Sequence, residues 1–398
     1  MATIALIWEL GSDYGHIGRF LPIAQALRAR GHRPVMILRD ISRADEMLGP
    51  LGLEYLQAPL WLPPVKGLPP PINFTETLLL FGFLSPAGLL SVARAWRQLL
   101  ALLKPGLLVF DHAPTALLAT RGLKLPRLCT GNSFASPPRQ NPLPPYRWWE
   151  PAPSRARMLD TEARVLDNAN SVLRELDAPV LNQVSDLYDV EATMITGVPE
   201  LDVYGPRAPE NYVGAINNVA LGLEPKWPGP RPRRMFAYLK PHYALFEQVV
   251  STLARVVASV LIFAPGVAKQ QVSKLQTPHL AFSDRPLHMG FTREQCDLAV
   301  CHAGGMVDVM LGAGRPVLLL PMQMEQTMTS RRVEQHGCGL VFMPEQSVKR
   351  LENLTKSLLD TDTVSKKARA YAESHRAYTQ DGAVNTLVSR CEELLARH

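Results

Sequence analysis

Residues 297–341 read DLAVCHAGGMVDVMLGAGRPVLLLPMQMEQTMTSRRVEQHGCGLV, and this stretch decides the fold. Its apolar runs at 298–301 and 317–320 have the length of buried parallel strands. His302-Ala303-Gly304-Gly305 breaks the first run, and residues 306–313 then take helical character. Arg315-Pro316 restarts the chain, and after Pro321 residues 322–336 read as a helix with Gln323, Glu325 and Gln326 at its mouth. The order is strand, glycine turn, helix, strand, turn, helix. A glycine turn at the carboxyl end of a parallel strand lets backbone N–H groups face a ligand. The helix that follows adds its positive end, so a phosphate-bearing ligand is the natural occupant.

The first half repeats this alternation. Residues 3–8 read as a strand, 17–30 as a helix with Ile17, Phe20, Leu21, Ile23, Ala24 and Leu27 on one face, and 34–38 as the next strand. Gly31 ends the helix. Such a βαβ unit requires a parallel sheet. Gly11, Gly15 and Gly18 do not follow G-x-G-x-x-G, so this is not the dinucleotide fingerprint. His16 stands in the loop after the first strand, where an imidazole can take a proton from a hydroxyl or simply pack the loop. A further strand at 107–110 ends in Asp111-His112. Asp111 can orient His16 through a ring N–H, or it can cap a helix at 113–120.

Strands are expected at 53–57, 126–130 and 192–195, helices from the proline-rich 58–71 loop through about 103, and a helix at 158–176. Residues 131–153, GNSFASPPRQNPLPPYRWWEPAP, are too long for a tight turn and read as an ordered lid or acceptor wall. Trp148 and Trp149 there could stack on a flat acceptor or pack locally. EPKWPGPRPRR, 224–234, is the expected joint between domains. Beyond it come strands at 235–239, 260–264 and 279–282, helices at 246–257 and 291–296, and tail helices at 345–359, 363–379 and 381–396.

A chain of 398 residues holds two cores of ordinary size. Its net charge of +6 is spread without a Lys/Arg run or a basic-aromatic repeat, which argues against nucleic acid. The first reading of that charge is a solvated surface, the second a peripheral contact with an anionic membrane. Five cysteines without a C-x-x-C pair point to free thiols, a reducing cytoplasmic setting and no metal site. The opening MATIALIWELG reads as a strand and not a signal peptide. The apolar 77–93 is interrupted by Gly82, Pro86 and Gly88, which suits helices lining a core better than a membrane span.

HAGG, GAGRPVLLLP, EQ and RRVEQHGCG, in that order, resemble the donor-binding segment of family 1-like GT-B glycosyltransferases, the UDP-glycosyltransferase and macrolide glycosyltransferase group. The family pattern is H-x-G-x-G-[ST], A-G-x-P, then [DE]-Q. Gly15-His16 through Gly31-His32 resembles its GHxxP…RGH signature, with Arg19 intervening before Pro22. KPGLLVFDHAPTALLA resembles the family segment that bears its aspartate.

The resemblance implies two Rossmann-like, doubly wound parallel-sheet α/β domains facing across a cleft. Residues 1–223 would bind the acceptor, 224–234 would link, 235–380 would bind a nucleotide sugar, and 381–398 would pack back on the first domain. It implies His16 as general base, Asp111 as its orienting partner, and His302, Gly304, Gly305 and Met306 at the diphosphate. Glu325 and Gln326 would hold sugar hydroxyls, and Ser283 would lie near the nucleotide base. No resident cofactor or metal is implied. A UDP- or dTDP-sugar is the co-substrate, a small apolar or lipid-like molecule the acceptor, and the transfer inverting and metal-independent. Two alternatives stand beside this reading. One is a non-catalytic GT-B protein, because the chain has Gly305-Met306-Val307 where the family has Gly-Ser or Gly-Thr. The other is a sugar-nucleotide epimerase, which would need more acid–base residues than His16 and Asp111.

Overall fold

A computed structural model describes residues 1–11, 15–208, 212–217, 222–229 and 233–397. Positions 12–14 of the first loop and 230–232 of the proline-rich joint therefore lie outside the described residues. The chain divides into two units, Met1–Ile216 with Gln380–His398, and Asn217–Thr379.

The first unit runs β1 (Thr3–Trp8), α1 (Gly15–Ala29), β2 (Arg33–Leu38), α2 (Ala44–Leu48), β3 (Glu54–Gln57), α3 (Phe74–Leu78), α4 (Pro86–Leu103), β4 (Leu107–Asp111), α5 (Pro114–Thr120), β5 (Arg127–Gly131), α6 (Arg155–Glu175) and β6 (Ala192–Ile195). Its six strands are all parallel, in the order β3-β2-β1-β4-β5-β6. Strands covered on both faces must be apolar throughout, and β4 is buried at every position. The apolar face of α1 supplies Ile17, Phe20, Leu21, Ile23, Ala24 and Leu27 to the core, the residues its period singled out. The last helix, α14 (Gln380–Ala396), also belongs here: Leu387, Val388, Cys391 and Leu394 join the same core, and Arg30 pairs with Glu392 at 2.6 Å. Burying one such leucine contributes about 2 kcal/mol, far more than that exposed ion pair.

The second unit runs β7 (Arg234–Tyr238), α7 (Phe246–Val256), β8 (Ser259–Phe263), α8 (Lys269–Leu275), β9 (Leu280–Ser283), α9 (Met289–Gln295), β10 (Leu298–Cys301), α10 (Gly305–Leu311), β11 (Val317–Leu319), α11 (Met324–Gln335), β12 (Gly339–Val341), α12 (Val348–Asp360) and α13 (Asp362–Ser374); α14 (Gln380–Ala396) then returns to the first unit. The sheet order is β12-β11-β10-β7-β8-β9, again all parallel. Counted from each unit's own first strand, both sheets read 3-2-1-4-5-6. That order reverses between strands one and four, and such a reversal opens a crevice at their carboxyl ends.

Three elements were not expected from sequence. Helix α2 is five residues long, too short to display a period, and α8 buries only Leu275, so it has no apolar stripe to read. Strand β12 was hidden by its glycines. At Gly339 a Cβ would stand 2.6 Å from the Val317 carbonyl oxygen, so this glycine serves close strand packing and not a turn. The division between units falls at Ile216/Asn217, upstream of residues 224–234, and Leu223 bridges to Leu287 of the second unit. Among the described residues no single helix is long and apolar enough to cross a membrane. Phe74–Phe83 and Pro86–Leu103 pass that test only as a pair bent by 79°.

Candidate active site

In the first unit the crevice lies between the ends of β1 and β4, where Trp8 pairs with Asp111 in register. Asp111 closes β4, is fully buried and is not a helix cap, since Ala113 occupies the cap position of α5. His16, in the first turn of α1, stands with Nδ1 2.8 Å from Asp111 Oδ2. Its ring stacks on Trp8 at 4.9 Å and 14°. Nε2 faces the other way, against Gly11, where a Cβ would come within 2.6 Å of it. Gly11 has φ +97°, so both conformation and space require glycine there.

Arg19, one turn further along α1, reaches the same carboxylate oxygen at 2.5 Å. Burial pushes the Asp111 carboxyl up, but the Arg19 and His16 charges outweigh it and hold the group well below the usual carboxylate range. An ionised Asp111 only accepts hydrogen bonds. Nδ1 of His16 therefore carries the proton, and Nε2 presents a lone pair. That is the tautomer a general base needs.

Two further ionisable groups surround this pair. His112, at φ +53°, follows Asp111, and its carbonyl accepts from Leu10 N–H at 2.8 Å. Its ring lies 6.1 Å from His16, 5.7 Å from Phe74 and 5.8 Å from Phe134. Burial, with the His16 charge second, pushes its pKa down to about 3, so it is neutral at physiological pH. Glu9, following β1, is buried, and its Oε2 accepts from the N–H groups of Thr115 and Ala116 at 2.9 and 3.1 Å. Burial raises its pKa to about 7 despite those bonds and the nearby Arg39.

The 131–153 segment is an anchored wall. Asn73 Nδ2 donates to the Leu143 carbonyl at 3.2 Å, Leu143 N–H donates to Glu162 at 2.8 Å, and Tyr146 N–H donates to the Ile72 carbonyl at 2.8 Å. It delivers Phe134, which stacks on Tyr146 at 5.2 Å and meets Phe74 edge-on at 5.9 Å. Phe74 and Phe134 are thus the aromatic rings beside His112. Trp148 and Trp149, the residues chosen from sequence, pack edge to face on each other at 5.4 Å.

In the second unit the turn after β10 is strained and open. Ala303 and Gly304 both have φ +71°, Gly304 and Gly305 are exposed, and nothing lies within 4 Å of a Cβ built on Gly304. Met306 is half-buried, and Val307 is buried at 1% exposure. His302 is at 3% exposure, and both its ring nitrogens bond to main chain. Nε2 accepts from Lys240 N–H at 2.9 Å, so Nδ1 is the protonated nitrogen and donates to the Leu320 carbonyl at 2.6 Å. These bonds tie the ends of β7, β10 and β11 together. Glu325 and Gln326 sit half-buried in the first turn of α11, where Gln326 Oε1 accepts from Met322 N–H at 2.8 Å. Ser283, at the end of β9, donates to the Arg285 carbonyl at 2.7 Å.

The sequence's one Asp-x-Asp triplet, Asp360-Thr361-Asp362, is the junction of α12 and α13. Asp360 pairs there with Arg233 at 3.2 Å and Asp362 with Lys366 at 3.9 Å. Among the described residues no three His, Cys, Asp or Glu side chains group as a metal site would. Sequence reading missed Arg19, Glu9, His112, Phe74 and Phe134 as site residues. Only Arg19 carried a usable signal, since it stands at the proline position of GHxxP.

Solved structures match the chain over nearly its full length. The calicheamicin glycosyltransferase CalG4 aligns with TM-score 0.71 and 18% identity, over 100% of this chain and 98% of that one. The spinosyn rhamnosyltransferase SpnG gives 0.69 and 14%, over 98% and 100%. The glycosyltransferase VinC in complex with dTDP gives 0.66 and 15%, over 100% of both. No protein-family profile and no curated protein matches the sequence. The fold is therefore that of the GT-B glycosyltransferases, with a Rossmann-like sheet in each unit.

Proposed function

We propose that this chain is a glycosyltransferase that moves a sugar from a nucleoside diphosphate to a hydroxyl of a small apolar acceptor. The observation that carries this is the His16–Asp111 pair, Nδ1 to Oδ2 at 2.8 Å, at the strand-order reversal of a GT-B fold. His16 Nε2 takes the acceptor's proton as the acceptor oxygen bonds to the sugar's anomeric carbon. The bond from that carbon to the diphosphate oxygen breaks in the same step, and its electrons leave with the diphosphate. Attack opposite the leaving group inverts the anomeric centre. Asp111 stabilises the imidazolium that forms.

In the second unit, the open backbone of Gly304, Gly305 and Met306 takes the diphosphate, where its N–H groups offset the charge that develops on leaving and no metal is required. His302 shapes that turn through main-chain bonds and does not touch the diphosphate. Glu325 and Gln326 hold sugar hydroxyls, and Ser283 lies at the base. His112, with its ring 6.1 Å from His16 and packed on Phe74 and Phe134, supports an apolar acceptor more directly than Trp148 and Trp149 do. VinC and SpnG have each been solved with thymidine diphosphate, which supports trying that nucleotide first. SpnG has also been solved with spinosyn aglycone, which supports a small-molecule acceptor here.

Titration calorimetry with dTDP, UDP and GDP is the first test, followed by an acceptor screen that reads release of nucleoside diphosphate. Micromolar binding of one nucleotide and acceptor-dependent release are expected. If none of the three binds, the Gly305-Met306-Val307 turn does not hold a donor. The chain is then a non-catalytic member of the fold.

A further inference from the structure

Resting on the reading of His16 as the base, we propose that Arg19 is the positioning residue that keeps Asp111 ionised whatever the charge on His16, and so keeps Nε2 of His16 a proton acceptor. The geometry is specific. Arg19 and His16 Nδ1 converge on one oxygen, Oδ2, at 2.5 and 2.8 Å. The other oxygen, Oδ1, is buried without a hydrogen-bond partner and lies against Gly131, where a Cβ would come within 2.2 Å of it. Arg19 is itself only 14% exposed, so its charge acts on Asp111 with little screening by solvent.

Without that guanidinium, a fully buried carboxylate would face a neutral imidazole, and burial favours its protonated form. A protonated Asp111 would donate to Nδ1. The imidazole proton would then sit on Nε2, which becomes a donor and cannot accept from a hydroxyl. A guanidinium is a fixed cation, and its contact with Oδ2 prevents this inversion. The other charged or titratable groups around the pair are His112 at the end of β4, Glu9 after β1, Arg39 after β2 and Cys129 in β5, a thiol that burial keeps protonated. None of them hydrogen-bonds to Asp111 in place of Arg19. The arrangement has a kinetic consequence. When His16 takes the acceptor's proton, two cations share one carboxylate, so Arg19 weakens proton binding by the pair and keeps the base available at lower pH.

The test uses the full chain with the donor and acceptor found by the screen above, and the variants Arg19→Met and Arg19→Gln. Both remove the charge; glutamine keeps a hydrogen-bond donor. The acidic limb of the kcat/KM profile is expected to move up by about one pH unit. At neutral pH, kcat should fall roughly tenfold or more, with acceptor KM changed less than about twofold. An unmoved limb with unchanged kcat, or a loss confined to KM, overturns the proposal, the latter because it would place Arg19 on a substrate.

Nitrogen-15 NMR of the histidine side chains, with His16 assigned by its loss in His16→Gln, reads the tautomer without turnover. Wild type is expected to carry the proton on Nδ1, and both Arg19 variants a larger share on Nε2. An Nδ1–H tautomer unchanged in a folded variant also overturns the proposal. Transfer that survives His16→Ala would remove the base reading, while the tautomer still decides the part played by Arg19.

Discussion

Where the parallel strands β1 and β4 end, His16 turns Nδ1 to a buried carboxylate and leaves Nε2 against a glycine; where β7 and β10 end, His302 gives both nitrogens to main chain. The two sheets have the same strand order, so the two histidines occupy comparable crevices. Their partners differ in kind. The partner of His16 is a carboxylate, a group that stabilises an imidazolium. Carbonyl and N–H partners fix one neutral tautomer of His302. The counterpart of His302 by position is His112, which also follows the fourth strand of its sheet and also links back to the segment after the first. Position in the fold offers a histidine the crevice; the hydrogen-bond partner assigns the work.

The largest effect should come from breaking the reactive side. His16→Ala is expected to lower kcat/KM by about 10²- to 10⁴-fold while nucleotide affinity, measured by calorimetry, stays unchanged. Transfer within about threefold of wild type would show that His16 is not the base.

The mirror experiment is His302→Ala. It strands the Lys240 N–H and the Leu320 carbonyl, and should lower stability in urea unfolding by about 2–4 kcal/mol. Unchanged stability with lost nucleotide binding would instead make His302 a ligand-binding residue and erase the contrast.

Glu9 and His112 sharpen the comparison through pH. Glu9 is raised from 4.5 to about 7 in the fold, so the native state binds the extra proton, and stability falls as pH rises from about 4.5 to 7. His112 is lowered from 6.5 to about 3, so the unfolded chain binds the extra proton, and stability falls as pH drops from about 6.5 to 3. Between about 4.5 and 6.5 the two slopes oppose each other. Glu9→Gln should therefore expose stability that rises with pH in that window, and His112→Gln stability that falls with pH. The full Glu9 contribution is about 3 kcal/mol. Urea midpoints at four pH values decide it; parallel curves for wild type and both variants would refute the assignment.

The smallest effect is expected at Gly305. A Cβ there meets only the tip of Asn217, at 2.4 Å, and the backbone is not left-handed. Gly305→Ala should leave the melting temperature within about 2 °C. It should weaken nucleoside diphosphate binding roughly tenfold by blocking the approach to the backbone, as calorimetry would show. Unaltered affinity would move the diphosphate away from this turn.

The quoted stretch and the 1–38 segment made the doubly wound fold legible because parallel strands buried on both faces must be apolar, and their turns must be polar or glycine. The apolar face of α1 was correct to the residue for the same reason. His16 and Asp111 were legible because each closes a strand or opens a helix at the carboxyl edge. Arg19 showed in the sequence only as a departure at the proline position of GHxxP, and its partner became visible only when β4 supplied the carboxylate beneath it. Phe74 and Phe134 read as ordinary apolar residues, and only the hydrogen bonds tying 131–153 to α3 and α6 bring them beside His112.

What the sequence determined by itself was local: hydrophobic period, strand length, and where glycine and proline interrupt. Those follow from the geometry of one segment and need no partner. What only the tertiary structure decided was which nitrogen of each histidine carries its proton, and whether Asp111 answers to one cation or two. Those depend on groups 92 and 95 residues apart in the chain, brought together when the first and fourth strands pair. A charge buried at that junction takes its properties from neighbours that no local window contains.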